Sequence, residues 1–236
     1  MADDYVDEDH DIKKLIRLET QLNKYVTFKQ TSNFMWRSLK RHTKTYYDKF
    51  DFKPFFEMIE GQKMDLNFKG YETVEDLLGY CYHVASTVGL MLTPILAYEK
   101  QESLKDFSIS LGYAMQITNI LRDIGQDAKN GRIYLPKKLM NEANYTYSSL
   151  SSGIINDEFI YLFETLAKLA ETNFDHALKD TILFPKDARI PLSLAILLYK
   201  EIINVVRENG YDVFNKRAIV SELRKKEIIN NYIKTL

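Results

Sequence analysis

The stretch 112–127 carries amide and carboxylate side chains at a spacing that could hold a metal ion. Four polar residues lie three or four positions apart: Gln116, Asn119, Asp123 and Asp127. On an α-helix these side chains share one face. Two carboxylates at i and i+4 repel by about 0.2–0.5 kcal/mol in an isolated helix, and a cation would relieve the repulsion. Oxygen ligands of this kind suit Mg²⁺, which often shares its coordination sphere with substrate phosphates.

The neighbouring Arg122 adds a guanidinium group of the geometry that binds a phosphate through two hydrogen bonds. A solvated helix face is the alternative interpretation of this stretch. Solvated faces favour long Lys and Glu side chains, whereas this one has short Asp and Asn beside Gln. The spacing therefore favours a site for a metal-bound diphosphate.

The composition indicates that helices position these residues. Among 236 residues there are only 9 Gly and 5 Pro, a scarcity of turn formers that argues against a many-stranded β protein. With 45% hydrophobic and 28% charged residues, the chain is not intrinsically disordered. A chain of this length buries about 70–75% of its unfolded surface. We therefore expect one all-α domain over residues 1–236.

Charge and cysteine content exclude several classes of function. Since 32 basic residues balance 33 acidic ones, no overall charge attracts the protein to nucleic acid. The single cysteine, Cys81, excludes an internal disulfide framework. No apolar run reaches the roughly 18 residues of a membrane span, and the acidic start does not resemble a signal peptide. We expect a cytoplasmic protein.

Hydrophobic periodicity predicts eight helices: 12–25, 34–47, 54–66, 73–94, 103–127, 155–179, 191–208 and 220–232. The apolar helices 73–94 and 103–127 are expected to line a shared cavity. Ser103 is the expected N-cap of the second, and Asn130 with Gly131 its stop signal. Segment 144–153, rich in Ser, Tyr and Asn, is expected to be a flexible connection.

Three segments resemble the squalene/phytoene synthase family, and most closely its bacterial phytoene and dehydrosqualene synthases. They are 119–136 (NILRDIGQDAKNGRIYLP), 79–89 (GYCYHVASTVG) and 210–217 (GYDVFNKR). The resemblance extends over essentially the whole chain. It implies the helical bundle with a central cavity of the isoprenoid (terpene) synthases.

The resemblance also implies a function, that of a prenyltransferase of isoprenoid and carotenoid biosynthesis. Two molecules of one allylic prenyl diphosphate would be joined head to head. Farnesyl diphosphate is the expected substrate, and geranylgeranyl diphosphate is the alternative. The route passes through a cyclopropylcarbinyl diphosphate to a linear C30 or C40 carotenoid precursor such as dehydrosqualene or phytoene. Mg²⁺ is the implied cofactor, and a monomer or homodimer is expected.

The family motifs assign roles to particular residues. The implied metal ligands are Asp3, Asp7, Asn119, Asp123 and Asp127; the catalytic residues are Asp3, Asp7, Asp123, Asp127 and Tyr80. The implied substrate contacts are Gln116, Arg122, Tyr199, Arg217, Val84 and Val88, with Lys216 as the alternative to Arg217. Without the resemblance, the stripe formed by Tyr80, Val84 and Val88 is ordinary core packing, and the acidic start is a frayed tail.

The resemblance further implies about two helices that precede the first acidic motif in family members, and this chain starts two residues before Asp3. We therefore expect a shortened chain with weak or no activity of its own. A non-catalytic scaffold or assembly relative is the alternative function, and a terpene cyclase is another. The basic run 224–226 is expected to be a solvated face, with contact to an anionic membrane surface as the alternative.

Overall fold

A computed structural model describes residues 12–28, 34–43 and 50–234. These residues form eleven α-helices and no β-strand, which confirms the predicted all-α class for this part of the chain. The helices are α1 Ile12–Phe28, α2 Phe34–Thr43, α3 Lys53–Leu66, α4 Val74–Cys81, α5 Thr87–Leu96, α6 Lys105–Lys129, α7 Lys137–Glu142, α8 Tyr147–Ser151, α9 Asp157–Asp180, α10 Lys186–Glu208 and α11 Glu222–Ile233. Asp3 and Asp7 lie outside the described residues.

Helix α6 lies at the centre of the fold and packs against α5, α9 and α10. Its apolar side, which includes Ile117, Leu121 and Ile124, is buried in the larger hydrophobic cluster. The amide and carboxylate residues fall on the other side of the same helix. The burial of one face of α6 therefore fixes the direction of the other, as amphipathic periodicity predicts.

Helix α3 links this cluster to a smaller one formed with α1 and α2. Ile59 is buried in the smaller cluster, and Met64, more than one turn later, packs against the larger. Pro54 stands in the first turn of α3, where its missing N–H costs nothing. Helix α3 is thereby held against the π-helical segment and α5.

The predicted helix 73–94 is interrupted by a π-helical segment, Tyr82–Ser86, between α4 and α5. Thr73 opens α4 with a capping box: its side chain accepts from the Asp76 N–H, and the Asp76 carboxylate accepts from the Thr73 N–H. A π-helical turn accommodates an extra residue, so it rotates everything that follows about the helix axis. Val88 lies beyond this segment, in α5, and is 39% exposed.

Other boundaries also differ from the sequence prediction. Ser103 lies within a 3₁₀ turn, and Leu104 precedes α6 without a side-chain cap. The expected flexible connection 144–153 contains α8, whose first turn is capped by the Thr146 hydroxyl. Helix α10 begins at Lys186 and has Pro191 inside it. As predicted, α6 stops at Asn130 and Gly131, where the φ of +74° suits glycine.

None of the helices in the described ranges is long and apolar enough to span a membrane. In the basic run, Arg224 forms ion pairs with Glu201 and Glu208, and Lys225 pairs with Glu222. Two of its three cations are therefore neutralised within the fold.

A close approach between α6 and the π-helical segment gives a testable prediction. A Cβ atom at Gly112 would overlap the backbone of Ser86, whose hydroxyl donates to the Ile109 carbonyl at 3.0 Å. We expect Gly112→Ala to destabilise the fold by about 1–3 kcal/mol, as overpacking does. Gly79→Ala, where nothing lies within 4 Å of the added carbon, is the matched control.

The control should be neutral or stabilising by up to about 1 kcal/mol, because Ala is the better helix former. Urea unfolding followed by circular dichroism measures both variants. Equal stability of the two variants would contradict the close packing of α6 against the π-helical segment.

Candidate functional site

A cleft of about 370 Å³ runs along the polar face of α6, and we refer to it as the inner cleft. Its walls come from α3, α4, the π-helical segment, α6 and the segment after α6. The lining residues are Gln62, Asp65, Tyr80, Val84, Gln116, Asn119, Ile120, Arg122, Asp123, Asp127, Arg132 and Tyr134. The cleft therefore gathers three carboxylates and two guanidinium groups on a helical scaffold.

Asn119 provides a buried acceptor at the base of this cleft. Its Oδ1 atom is buried and has no hydrogen-bond partner among the described residues. A buried polar atom without a partner costs about 1–3 kcal/mol. A cation or a ligand donor in the cleft would remove that cost.

Asp123 is held by two arginines that come from different parts of the chain. Arg122 donates from Nε to Oδ1 at 3.0 Å, and Arg217 donates from its own Nε to the same oxygen at 3.0 Å. Burial pushes the pKa of Asp123 upward, but the hydrogen bonds from both guanidinium groups outweigh it and hold the pKa below its usual range. Asp123 is thus a fully ionised carboxylate.

Asp127, one turn further along α6, has the opposite electrostatic character. Burial raises its pKa to about 6, and the charge of Asp123 adds to the increase. Arg132 partly counters this increase. Its backbone N–H donates to the Asp127 carbonyl at 2.8 Å, which places the guanidinium beside the cleft. The positive charge near Asp127 is therefore too small to offset its burial and the repulsion from Asp123.

A second cleft, the outer cleft, lies on the other side of Asp123 and has a volume of about 500 Å³. Asp123 and Asp127 line both clefts. The cations of the outer cleft are Arg122, Lys129, Lys216 and Arg217. The two carboxylates thus separate an acidic inner cleft from a basic outer one.

The loop that carries Arg217 is fixed to α6 by a close backbone approach. A Cβ at Gly125 would come within 2.5 Å of the Val213 carbonyl oxygen and the Phe214 Cα. Lys129 also donates to the Phe214 carbonyl at 3.2 Å. Glycine at position 125 is therefore required for the loop to bring Arg217 to Asp123.

Of the two sequence candidates in this loop, Arg217 makes the contact with Asp123, while Lys216 lines the outer cleft. Tyr199, on α10, reaches the same cluster through Arg122. Its hydroxyl accepts a hydrogen bond that, after the dominant effect of Asp123, helps to raise the pKa of Arg122. The structure thus joins these predicted residues in one cluster around Asp123.

The sequence-predicted stripe on helix 73–94 is only partly in the inner cleft. Tyr80 and Val84 line it, whereas Val88, one turn beyond Val84, does not. Gln116 lines it together with the predicted amide and carboxylates of α6.

Four lining residues were not singled out from the sequence: Gln62, Asp65, Arg132 and Tyr134. Two of them, Arg132 and Tyr134, lie inside the quoted segment 119–136. Backbone bonds from Lys137 and Lys138 to the carbonyls of Tyr71 and Glu72, both 3.0 Å, hold this segment against the start of α4. Asp65 and Gln62 carry no comparable pattern in the sequence, because tertiary packing alone brings α3 to the cleft.

The donor set of the inner cleft fits a hard cation such as Mg²⁺. Asn119 offers an unpartnered oxygen, and Asp127 is a desolvated carboxylate. No cluster of three or more His, Cys, Asp or Glu residues in the described ranges has the geometry of a complete metal site. A cation held here would therefore complete its coordination with water or with ligand oxygens.

Comparison with known proteins gives consistent matches. A model of the squalene/phytoene synthase family matches residues 1–224. The 15-cis-phytoene synthase of Synechococcus elongatus is 41% identical over 186 residues, which are 74% of this chain and 60% of that protein. The chloroplastic phytoene synthase of Daucus carota is 39% identical over 180 residues, covering 74% of this chain and 45% of that protein.

Among solved structures, a dehydrosqualene synthase in complex with ligand superposes with a TM-score of 0.89 and 36% identity. That match covers 100% of this chain and 83% of the other. The chain thus spans about half to three-fifths of the length of the two curated relatives named above. Since the family match covers all but the last residues and the same fold recurs at 36% identity, the chain belongs to the squalene/phytoene synthase family.

Proposed function

We propose that this chain, as one domain over residues 1–236, joins two allylic prenyl diphosphates head to head. The observation that carries the proposal is the polar face of α6, with the buried Asn119 oxygen and the cation-poor Asp127 beside the arginine-bound Asp123. This face offers ligands for a divalent cation within a little over two turns of helix, and Arg122 and Arg217 beside it offer donors for a diphosphate. The family membership supports the same chemistry.

Asn119, Asp123 and Asp127 would hold Mg²⁺, with Asp3 and Asp7 as further ligands from the segment outside the described residues. When bound, the metal neutralises the diphosphate and lowers the barrier to its departure. Arg122 and Arg217 have a second task. Each guanidinium can exchange one carboxylate oxygen of Asp123 for a phosphate oxygen, because both groups accept the same paired hydrogen bonds. The departing diphosphate is then stabilised by preorganised positive charge.

The resulting allylic cation needs walls that repel water and stabilise positive charge. Tyr80 and Tyr134 face the inner cleft with ring centroids 5.3 Å apart, and Val84 and Ile120 add apolar surface. Aromatic faces attract cations through their quadrupole. The second substrate's double bond would attack the cation and give the cyclopropylcarbinyl diphosphate. A second ionisation, rearrangement and loss of a proton would give the linear polyene.

Farnesyl diphosphate is the first substrate to test, and geranylgeranyl diphosphate the second. The structural match to a dehydrosqualene synthase covers the whole chain, which favours the C30 product. The curated relatives are named phytoene synthases, which makes the C40 product the alternative. Purified protein incubated with Mg²⁺ and each substrate separately distinguishes the two by product chain length.

Asp123→Asn should reduce product formation by at least a hundredfold in this assay. The substitution neutralises a metal ligand and removes the charge that orients both arginines, so the diphosphate loses support in the transition state. Asp175→Asn is the control, because Asp175 lies on α9 and pairs with Lys200 away from both clefts. The readouts are the C30 or C40 hydrocarbon, the cyclopropyl intermediate and the free prenyl alcohol.

Equal activity of Asp123→Asn and wild-type protein would refute the proposed site. Absence of any product or metal-dependent diphosphate binding in wild-type protein would refute the function and favour a non-catalytic relative. Prenyl alcohol as the main product would mean that the site ionises its substrate without condensing it.

Asp127→Asn should stabilise the metal-free protein. Since burial raises the pKa of Asp127 to about 6, the folded state binds that proton more tightly than the unfolded chain does. Stability is therefore lost as the pH rises from about 4 to 6 and stays low above that range. The variant should melt a few degrees higher than wild type at a pH of about 7.5, with a smaller difference at a pH of about 5.

Added Mg²⁺ with inorganic diphosphate should raise the melting temperature of wild-type protein and have much less effect on Asp127→Asn. The exposed Asp175→Asn serves again as the control and should retain the full response to metal. A melting temperature for Asp127→Asn below that of wild type at neutral pH would show that Asp127 is satisfied within the fold, contrary to this account.

A further inference from the structure

Asp65 provides a third carboxylate in the inner cleft, and the roles assigned above do not use it. It lies in the last turn of α3 and accepts from the Tyr80 hydroxyl at 3.0 Å through Oδ1 and 3.2 Å through Oδ2. The Tyr134 hydroxyl lies 3.3 Å from the same Oδ1 atom. All three residues line the inner cleft. The carboxylate is therefore connected to the cleft by two phenol groups.

The two phenols belong to a cluster of four aromatic rings. Tyr71 stacks against Tyr80 and Tyr134, with ring centroids 5.3 and 6.2 Å apart, and Phe68 contacts Tyr134 at 4.9 Å. Burial raises the pKa of Tyr134 to about 12 and that of Tyr80 well above its usual range. Both hydroxyls thus stay protonated. The Tyr80 hydroxyl donates to Asp65 and is also hydrogen-bonded to Tyr134, and a phenol oxygen with these two bonds keeps one further lone pair.

We propose that Asp65 is the final proton acceptor of the head-to-head condensation and that it acts through Tyr80. The inference rests on the proposed function. In the last step, a C–H bond next to the cationic carbon breaks, and its electron pair forms the new C=C double bond. The released proton binds the Tyr80 oxygen while Tyr80 passes its own hydroxyl proton to Asp65. The charges balance, because a cation and a carboxylate become a neutral alkene and a carboxylic acid.

The other two carboxylates of the cleft, Asp123 and Asp127, have roles in the proposed metal and diphosphate site. Asp123 is bonded to two guanidinium groups, and Asp127 would be a ligand of the proposed metal ion. Asp65, by contrast, is joined to a residue that is itself part of the aromatic wall for the cation. Tyr134 provides a second hydrogen bond that fixes the orientation of the carboxylate. Asp65 is thus a positioning residue for Tyr80 and the destination of its proton.

The same two stretches of chain contain a matched pair outside the inner cleft. Tyr82 donates to Glu57 at 2.8 Å, and this carboxylate–phenol contact also joins α3 to the segment that follows α4. Glu57 and Tyr82 line a different pocket. Glu57→Gln therefore makes a change like Asp65→Asn at a site that the reaction does not reach.

The experiment compares wild type, Asp65→Asn, Asp65→Glu, Tyr80→Phe and Glu57→Gln, with diphosphate release and hydrocarbon products measured in the same incubation. Asp65→Asn keeps a hydrogen-bond acceptor of the same size but cannot take a proton. We expect its diphosphate release to stay within about threefold of wild type, while the polyene falls at least tenfold. The missing material should appear as cyclopropyl intermediate or water-quenched alcohols. Tyr80→Phe should give the same product shift, Asp65→Glu should restore polyene in part, and Glu57→Gln should match wild type.

Several results would overturn the proposed transfer of the proton through Tyr80 to Asp65, which we call the relay. A wild-type product distribution from Asp65→Asn in active protein refutes it while the proposed function stands. Equal loss of diphosphate release and polyene assigns Asp65 to substrate or metal binding instead. If the melting curve shows that Asp65→Asn does not fold, Tyr80→Phe becomes the test. A wild-type ratio of polyene to intermediate and alcohols in Tyr80→Phe then refutes the relay. No diphosphate release from wild type refutes the proposed function and the relay together.

Discussion

Two carboxylates one helical turn apart on a half-buried helix face create the constraint on which the rest of the site depends. Like charges in a partly desolvated cleft need positive charge nearby. The fold supplies part of it through the two guanidinium groups on Asp123 and leaves Asp127 with a raised pKa. This residual imbalance is the physical reason that the cleft should bind a cation with an anionic ligand. A fully neutralised pair would have no such tendency.

Close backbone contacts position the walls of the cleft and the arginine that pairs with Asp123. Gly112 permits the π-helical segment to lie directly against α6, which brings the wall that carries Tyr80 and Val84 to the cleft. Gly125 permits the loop with Arg217 to lie against the other side of the same helix. Helix α6 is therefore the common support for the acidic cleft, the basic cleft and the residues between them. Its buried apolar face keeps these relations fixed.

The sequence predicts this helix face well because periodicity alone determines which side chains share it. The all-α fold, the stop at Gly131 and the grouping of Gln116, Asn119 and Asp123 all follow from local spacing. The π-helical segment could not be predicted, since the apolar pattern of 73–94 is the same for an uninterrupted helix and for one with a π-helical turn. Tyr82 and Ser86 in this segment donate hydrogen bonds to Glu57 on α3 and to the Ile109 carbonyl on α6, and Gly112 permits the close approach to α6.

Contacts between residues far apart in the sequence could not be predicted from local patterns either. The bonds from Tyr80 and Tyr134 to Asp65 join residues 15 and 69 positions apart. No spacing rule identifies such a cluster in a single sequence. The competition between Lys216 and Arg217 was likewise decided by the loop's position on Gly125 rather than by residue type. Tertiary packing, not periodicity, completes the site.

If the face of α6 binds metal and diphosphate as a unit, the affinity for diphosphate depends on the metal, and calorimetric titration measures this dependence. Inorganic diphosphate is titrated into purified protein with and without Mg²⁺. We expect Mg²⁺ to strengthen diphosphate binding at least tenfold, because a cation at Asp127 and Asn119 would offset the negative charge of Asp127 and attract the anion. Binding of equal strength with and without Mg²⁺ would contradict it, since arginines alone would then account for the site.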